Sequence, residues 1–523
     1  MRQRIAHWRL HPVGAGITTA EGVASAGAGP VVRAAAAPWT DRSTLNLFAF
    51  LMVHPVVLYV VGGVPQNLST LHAYATFMIG AWFASTGRFD RVAPVLAYIA
   101  GSEVLWRMTR AGIYWEFGKY ATSAIVLIAL ARRGRLKPPA IPFFFFALLI
   151  PSTFLTFDSQ TWTFARDQVS FNLSGPFALM MCGWFFANVE ISKDLFRTMA
   201  LAAIAPALGV AALAAVSTFS DSDVVFIDSS NLIASGGFGP NQVAGALGFG
   251  ALLALFIVID DKSSRIVRAL LFGVLTALVM QCALTFSRSG LYMAAGGAAV
   301  AAVFAMGDSR LRARFLPMLM AIFVIGNFFV FPYLDAFTDG ALNVRFQDTD
   351  LTGRDVLIQA DIELWKENPV FGVGPGLGRS QRGTFFSADA RAGTIAYRKA
   401  PTQIAAHTEF SRMLAEHGVF GLGAVLLFIV GAVANVRRAP DARARALVAG
   451  LVSWSALFML STAMRTVAPS LAFGIGFATW CAQDPNPAEA PGRRRRGRGQ
   501  LRALTAGHPA LSDSAPRAAT SLK

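Results

Sequence analysis

Charge is scarce in this chain. Only 15% of its 523 residues are Asp, Glu, Lys or Arg, where a soluble domain carries about 25%. That shortage excludes an ordinary water-covered globule. Acids are scarcer than bases, 30 against 46, which leaves a formal net charge of +16. Cysteine is nearly missing. Cys182, Cys282 and Cys481 each fall in an apolar segment, without metal-ligand spacing. They read as small buried hydrophobes, and a disulfide framework is excluded. There is no HExxH pattern, which argues against a zinc site. Residues 1–43 lack a continuous apolar core of the secretory type. We therefore expect a disordered cytoplasmic tail, with the first span as targeting signal. No repeat of clear period is visible, nor the inverted halves of a transporter.

What is abundant is apolar. The composition is 54% hydrophobic and the mean hydropathy is +0.50. Apolar runs near the ~20 residues needed to cross hydrocarbon recur along the whole length. Spans are expected near 45–63, 68–86, 92–109, 112–131, 139–157, 171–190 and 195–216. Further ones are expected near 241–260, 266–285, 290–306, 314–333, 419–436, 446–463 and 466–482. The fold class is thus an all-α polytopic membrane protein of about 12–14 transmembrane helices, with one large, partly helical periplasmic loop. A multi-pass membrane location follows.

The basic residues sort by loop. Arg88 with Arg91, the Arg132–Lys137 group, Lys193 with Arg197, and Lys262 with Arg265 and Arg268 all fall in even-numbered loops. So do the group Arg310, Arg312 and Arg314 and the group Arg437, Arg438, Arg443 and Arg445. The positive-inside rule then places both termini in the cytoplasm. Because the charge sits in short loops, no nucleic-acid partner is expected. The chain divides into a tail 1–43, a first helix bundle 44–333, a periplasmic loop 334–418, C-terminal spans 419–483 and a basic tail 484–523. The last is expected to be disordered and close to anionic headgroups.

Most of the candidate chemistry lies between Thr352 and Gly421. Thr352-Gly-Arg-Asp355 has the spacing of a capping box ahead of an amphipathic run that ends at Asn368-Pro369. Arg354 would sit beside free backbone N–H groups at a helix N-terminus, where anions bind. The bland alternative is an exposed arginine paired with Asp350 or Asp355. FGVGPGLG (371–378) is glycine-rich but follows a helix and lacks a Lys-Ser/Thr. It is neither a P-loop nor a dinucleotide fingerprint, and its glycines suit a tight re-entry toward the membrane. His407 opens a second expected helix that stops at Gly418 and Gly421. There it is either a proton acceptor near neutral pH or a packing residue. Glu409, Arg412 and Glu416 share one face and look like ordinary intrahelical pairing. Arg288, Arg465 and Arg166 lie at the exterior ends of spans, where they either hold something anionic or snorkel to headgroups.

Taken together, GFGPNQVAGAL (237–247), LTFSRSGLY (284–292), TGRDVLIQA (352–360), ENPVFGVGPG (367–376) and AHTEFSRMLAEHGVFG (406–421) resemble the O-antigen ligase / O-antigen polymerase family of bacterial membrane glycosyltransferases. The likeness covers about residues 235–435. Ser289 departs from the pattern, since many members carry glycine directly after the arginine. The resemblance implies a sugar donor carried on undecaprenyl pyrophosphate. It implies that Arg288 and Arg354 hold the pyrophosphate and that His407 assists the attacking hydroxyl. Arg166 and Arg465 match no family motif and rest on their own chemistry. The acceptor would be another glycan unit, lipid A core or a protein hydroxyl. No cofactor and no metal are expected. From another class, a transporter or flippase of an anionic lipid-linked sugar also suits many spans and cavity arginines.

Overall fold

The computed structural model describes residues 42–60, 65–134, 138–220, 224–227, 229–260, 265–348, 353–386 and 404–481. Nearly all of both tails, and residues 387–403 of the long loop, lie outside that set. Helices make up most of the described residues, and the strands among them form one short parallel pair.

The first four helices are α1 (Arg42–Val60), α2 (Gln66–Ser85), α3 (Phe89–Met108) and α4 (Phe117–Arg133). Two short helices follow, α5 (Ala140–Ala147) and α6 (Thr153–Ser159). Then come α7 (Trp162–Phe186), α8 (Lys193–Ser220), α9 (Pro240–Asp260), α10 (Arg265–Leu284), α11 (Arg288–Ala305) and α12 (Ser309–Ile325). A π turn, Gly326–Val330, joins α12 to α13 (Phe331–Phe337). The interval beyond holds α14 (Ala341–Gln347), α15 (Arg354–Glu367) and α16 (Gly378–Gln381). The chain returns through α17 (Glu409–Arg438), α18 (Ala442–Ser461) and α19 (Ala468–Ile475).

Eight of the described helices are long and apolar enough to cross a membrane. Helices α1 to α4 add four of 17 to 20 residues at the positions expected from the sequence. The protein is an all-α polytopic membrane protein. Proline inside α1, α3, α7, α8 and α12 is compatible with that setting, because neighbouring helices can re-satisfy the freed backbone groups.

Two expected spans are not continuous helices. The run 139–157 breaks into α5 and α6 around Pro151, whose ring disfavours helix in the residue before it. The run 466–482 holds only the eight-residue α19. Its continuation, Thr479–Trp480, pairs in parallel with Glu190–Ile191. The helix after His407 also differs from expectation. It does not stop at Gly418 but kinks there, at φ 60 and ψ −136, and runs on to Arg438.

Packing relies on small residues, as lipid-embedded helices require. A Cβ on Gly290 of α11 would lie 2.2 Å from the Ala244 carbonyl oxygen of α9. Gly297 of α11 and Gly450 of α18 meet in the same way, each with the other's carbonyl 3.0 Å from its would-be Cβ. Helices α9, α11 and α18 form one packed group, and α3 lies along α8. On the outside, Met320, Phe323, Phe328, Phe329 and Tyr333 of the α12–α13 rod are exposed, as a lipid-facing surface would be.

Candidate active site

The site begins at the turn between α10 and α11. Phe286 is fully buried yet holds a left-handed φ of 57, a conformation that costs a non-glycine residue free energy and persists only where the surroundings enforce it. The turn aims its carbonyl outward, where Arg345 Nε donates to it at 3.1 Å. Ser287 donates to Asn241 Oδ1 at 2.7 Å and pairs with Ser289 at 2.9 Å. That bond ties the GFGPNQV stretch to the SRSG stretch. Ser289 therefore has a packing role, and the close helix contact falls to Gly290.

Arg288 is the first residue of α11. It donates to the Asp348 carbonyl oxygen and lies 3.9 Å from that residue's carboxylate. Arg345 is 3.4 Å from the same carboxylate. Arg354, the first residue of α15, faces this pair. Burial, then Arg288 and then Arg345, lower its pKa from the usual value. No carboxylate pairs with Arg354 among the described residues, so the alternative of an Asp355 pair is not realised. Gly353, with φ 75, precedes the helix without a side-chain cap. Thr352 and Asp350 lie outside the described residues, and with them the rest of the capping box. Arg288 and Arg345 thus share the Asp348 carboxylate, and Arg354, near enough to feel both cations, opens a 14-residue helix. Such a place favours an anion.

The glycine-rich stretch has a structural task. Val373 N donates to Ala415 O at 2.9 Å and Gly374 N to Glu416 O at 3.0 Å. Val419 N donates back to Pro369 O at 2.8 Å. The loop and the kinked helix grip each other through backbone. At Gly372 a Cβ would lie 2.4 Å from the Glu416 carbonyl carbon, and at Gly418 2.4 Å from the Val370 oxygen. Both glycines have positive φ.

Beneath that grip sits a buried charge lattice. Arg412 bonds Glu409, and Glu416 at 2.9 Å, and reaches across to Asn172 Oδ1 of α7 at 2.9 Å. Glu416 also accepts from Gly376 N at 3.0 Å. The pairing within the helix is as expected, but its burial and outside partners make it a joint between three parts of the chain. Arg382, fully buried, donates to Asp361 Oδ1 and to the Ile404 carbonyl, each at 2.6 Å. Ser411 donates to the other Asp361 oxygen at 2.6 Å. These bonds fix the segment 404–408, and Thr408 caps α17 by accepting from Ser411 N at 3.3 Å.

His407 lies on that segment, two residues before α17. Its ring forms no hydrogen bond among the described residues. Burial, then Arg465, Arg354 and Arg382, hold its pKa down at about 4. It is neutral at physiological pH, and all three arginines lie near enough to disfavour its charged form. Arg465 donates weakly to the Ala406 carbonyl at 3.4 Å. Burial and then Arg107 lower the pKa of Arg465 as well, with Arg412 adding to the effect and Glu409 opposing it. The turn that carries Arg465 is clamped from three helices. Glu103 accepts from Val467 N at 2.6 Å, and Arg107 donates to the Arg465 carbonyl at 2.9 Å. Lys119 donates to Met464 O at 3.2 Å, and Glu409 accepts from Met464 N at 3.0 Å.

The structure therefore brings together His407, Arg354 and Arg465, with Arg288 next to Arg354. It does not bring Arg166 to them. That side chain is 61% exposed and pairs with its neighbour Asp167 at 2.9 Å. Arg345, Arg382, Arg412 and Arg107 were not singled out for the site from the sequence. Arg412 alone had a visible signal, its place between Glu409 and Glu416. Among the described residues no group of three or more His, Cys, Asp or Glu side chains could hold a metal ion.

No curated protein matches the chain. Residues 272–426 match the family model described as O-antigen ligase. That stretch runs from α10 into α17, so it contains Arg288, Arg345, Arg354, Arg382, His407 and Arg412. It leaves out Arg166, Arg465 and the GFGPNQV stretch that Ser287 ties to it. Residues 272–426, which carry His407, Arg354 and Arg382, thus relate this part of the chain to the O-antigen ligase family.

Proposed function

We propose that this protein transfers a glycan from undecaprenyl pyrophosphate to an acceptor hydroxyl, at the periplasmic face of the bacterial inner membrane. The observation that carries the reading is His407. It is a neutral imidazole under the influence of Arg465, Arg354 and Arg382, unbonded among the described residues, inside the stretch that matches the family.

The chemistry follows from the charges. Arg288 and Arg354 hold the donor's pyrophosphate, and Arg465 faces it from the opposite turn. The acceptor oxygen bonds to the anomeric carbon as the bond from that carbon to the pyrophosphate oxygen breaks. The electron pair leaves with the pyrophosphate, whose growing negative charge the arginines stabilise in place. The hydroxyl proton passes to His407. Direct attack inverts the anomeric centre. A bound pyrophosphate also offsets the cations that hold the His407 pKa down, so donor binding raises its basicity when a base is needed. This scheme requires no metal. Polymerase, ligase and protein-glycosylating forms differ only in the acceptor: a glycan, lipid A core or a protein hydroxyl.

The test uses the purified full chain, a lipid-linked oligosaccharide and each acceptor class in turn. A new glycosidic product, with release of undecaprenyl pyrophosphate, supports the reading. Passage of intact donor across a vesicle membrane with no product would instead indicate a flippase.

A further inference from the structure

The loop between α3 and α4, residues 109–116, is short and firmly held. Gly112 N donates to Thr70 Oγ1 at 2.6 Å, Ala111 N to Trp106 O at 2.9 Å and Phe117 N to Tyr114 O at 3.0 Å. Within it Arg110 takes a left-handed φ of 52, which a non-glycine residue keeps only where its surroundings enforce it. In the orientation proposed from the basic residues this loop is exterior. Arg110 is therefore not one of the arginines that mark cytoplasmic loops. Its side chain is exposed and forms no hydrogen bond or ion pair among the described residues.

Arg110 lines a cavity of about 270 Å³ together with Glu103, Arg107, Tyr114, Trp115 and Phe117. Arg107 is already committed. It pairs with Glu103 at 2.7 Å and bonds Gln242 Oε1 at 2.7 Å, and its guanidinium carbon lies 4.5 Å from the centre of the Trp115 ring. Glu103 and Arg107 cancel, which leaves the Arg110 charge uncompensated. Tyr114 and Trp115 are 54 and 45% exposed, so both rings keep uncovered surface.

The volume is just below the ~300 Å³ at which small-molecule sites begin, the scale of one sugar ring. Three charged side chains in the wall disfavour an acyl chain. Aromatic surface beside charged groups suits a pyranose, whose C–H face lies against a ring while its hydroxyls reach polar partners. The free guanidinium adds a preference for a carboxylate, which it binds through two parallel hydrogen bonds. The cavity adjoins the transfer site through one residue. The Arg465 carbonyl accepts from Arg107 at 2.9 Å, while its side chain reaches the Ala406 carbonyl, next to His407.

We propose that this cavity is a subsite for an acidic sugar, a hexuronate of the bound glycan, with Arg110 on its carboxylate and Tyr114 and Trp115 against its ring. This assignment rests on the glycan transfer proposed above and names one sugar class that the protein selects.

The test is calorimetric binding to the purified full-length protein with no donor present. The probes are oligosaccharides containing glucuronate or galacturonate, beside neutral glucose and galactose oligosaccharides of the same lengths. At least one acidic probe should bind about tenfold more tightly than its neutral counterpart. That preference should vanish in Arg110→Gln, which changes an exposed side chain and leaves the Glu103–Arg107 pair intact. Equal binding of acidic and neutral probes by the wild-type protein, or no binding of either, overturns the proposal. Retention of the preference in Arg110→Gln also overturns it. If Arg110→Gln instead weakens only the retention of phosphatidylglycerol, the cavity takes a lipid headgroup and the proposal falls. A wild-type protein that shows the preference but transfers no glycan supports the subsite and refutes the transfer reading alone.

Discussion

At the scale of single residues, His407 and Arg288 make separate, measurable claims. Burial, then Arg465, Arg354 and Arg382, hold the His407 pKa down at about 4 by disfavouring its charged form. A base with a lowered pKa is lost only as pH falls through that value. The acid limb of kcat/KM, which reports free enzyme, should therefore lie near 4. On the proposed mechanism bound pyrophosphate would raise the pKa, so the acid limb of kcat should lie at higher pH. Coincident limbs near the ordinary histidine value of about 6.5 would contradict this. Arg288→Lys should lose donor affinity although the charge remains, since an ammonium cannot span two phosphate oxygens as a guanidinium fork does. Full activity in the lysine variant would reduce the role to simple attraction. His417 is fully buried and bonded to Ser152. It is therefore a structural neighbour, and its removal is not a neutral comparison for His407.

At the scale of elements, two devices hold the site. One is the left-handed kink at Gly418. Gly418→Ala would force a side chain into a backbone region that glycine alone adopts comfortably, costing about 1–3 kcal/mol, with the Val370 oxygen 2.4 Å away. A lowered melting temperature in detergent should follow, and an unchanged one would mean that the kink is incidental. The other device is the clamp on residues 464–467. Glu103→Gln keeps the shape but leaves Arg107 without its buried carboxylate. Breaking such a pair typically costs about 3–5 kcal/mol, so both stability and transfer should fall. Unchanged transfer would show that the Arg465 turn does not need its clamp.

These elements also show what the sequence could and could not reveal. The kink glycine stood out, but a glycine after apolar periodicity reads equally as a stop or a bend. Only the carbonyls of Pro369 and Val370, bonded to Val419 N, decide for the bend. Glu103, Arg107 and Lys119 sit in apolar helices, where the locally visible pairings are Glu103 with Arg107 and Lys119 with Glu116. Their partners at Val467, Arg465 and Met464 lie 364, 358 and 345 residues away along the chain. No local pattern announces a contact of that range. His407, Arg288 and Arg354 were legible because each opens or precedes a helix inside a recognisable motif. Arg166 had the same local look, but its position on the exposed face of α7 depends on packing that the sequence does not show.

At the scale of the whole molecule, the account needs a sidedness as well as a site. From the bias of basic residues toward alternate loops we propose that the interval 334–418 is outside and both termini inside. Reporter fusions near residue 385 and residue 500 should therefore give opposite signals, the first exterior. A cytoplasmic signal at residue 385 would put His407 on the wrong side for a periplasmic transfer. The central claim is that this membrane protein makes glycosidic bonds, with His407 taking the proton and the arginines holding the donor. The most direct measurement is transfer by the purified full chain and its His407→Ala variant, beside donor binding by both. Loss of a general base typically costs ~10²–10⁴-fold, so the account predicts a turnover lower by that factor, with donor binding retained. Transfer by His407→Ala at the wild-type rate would contradict it.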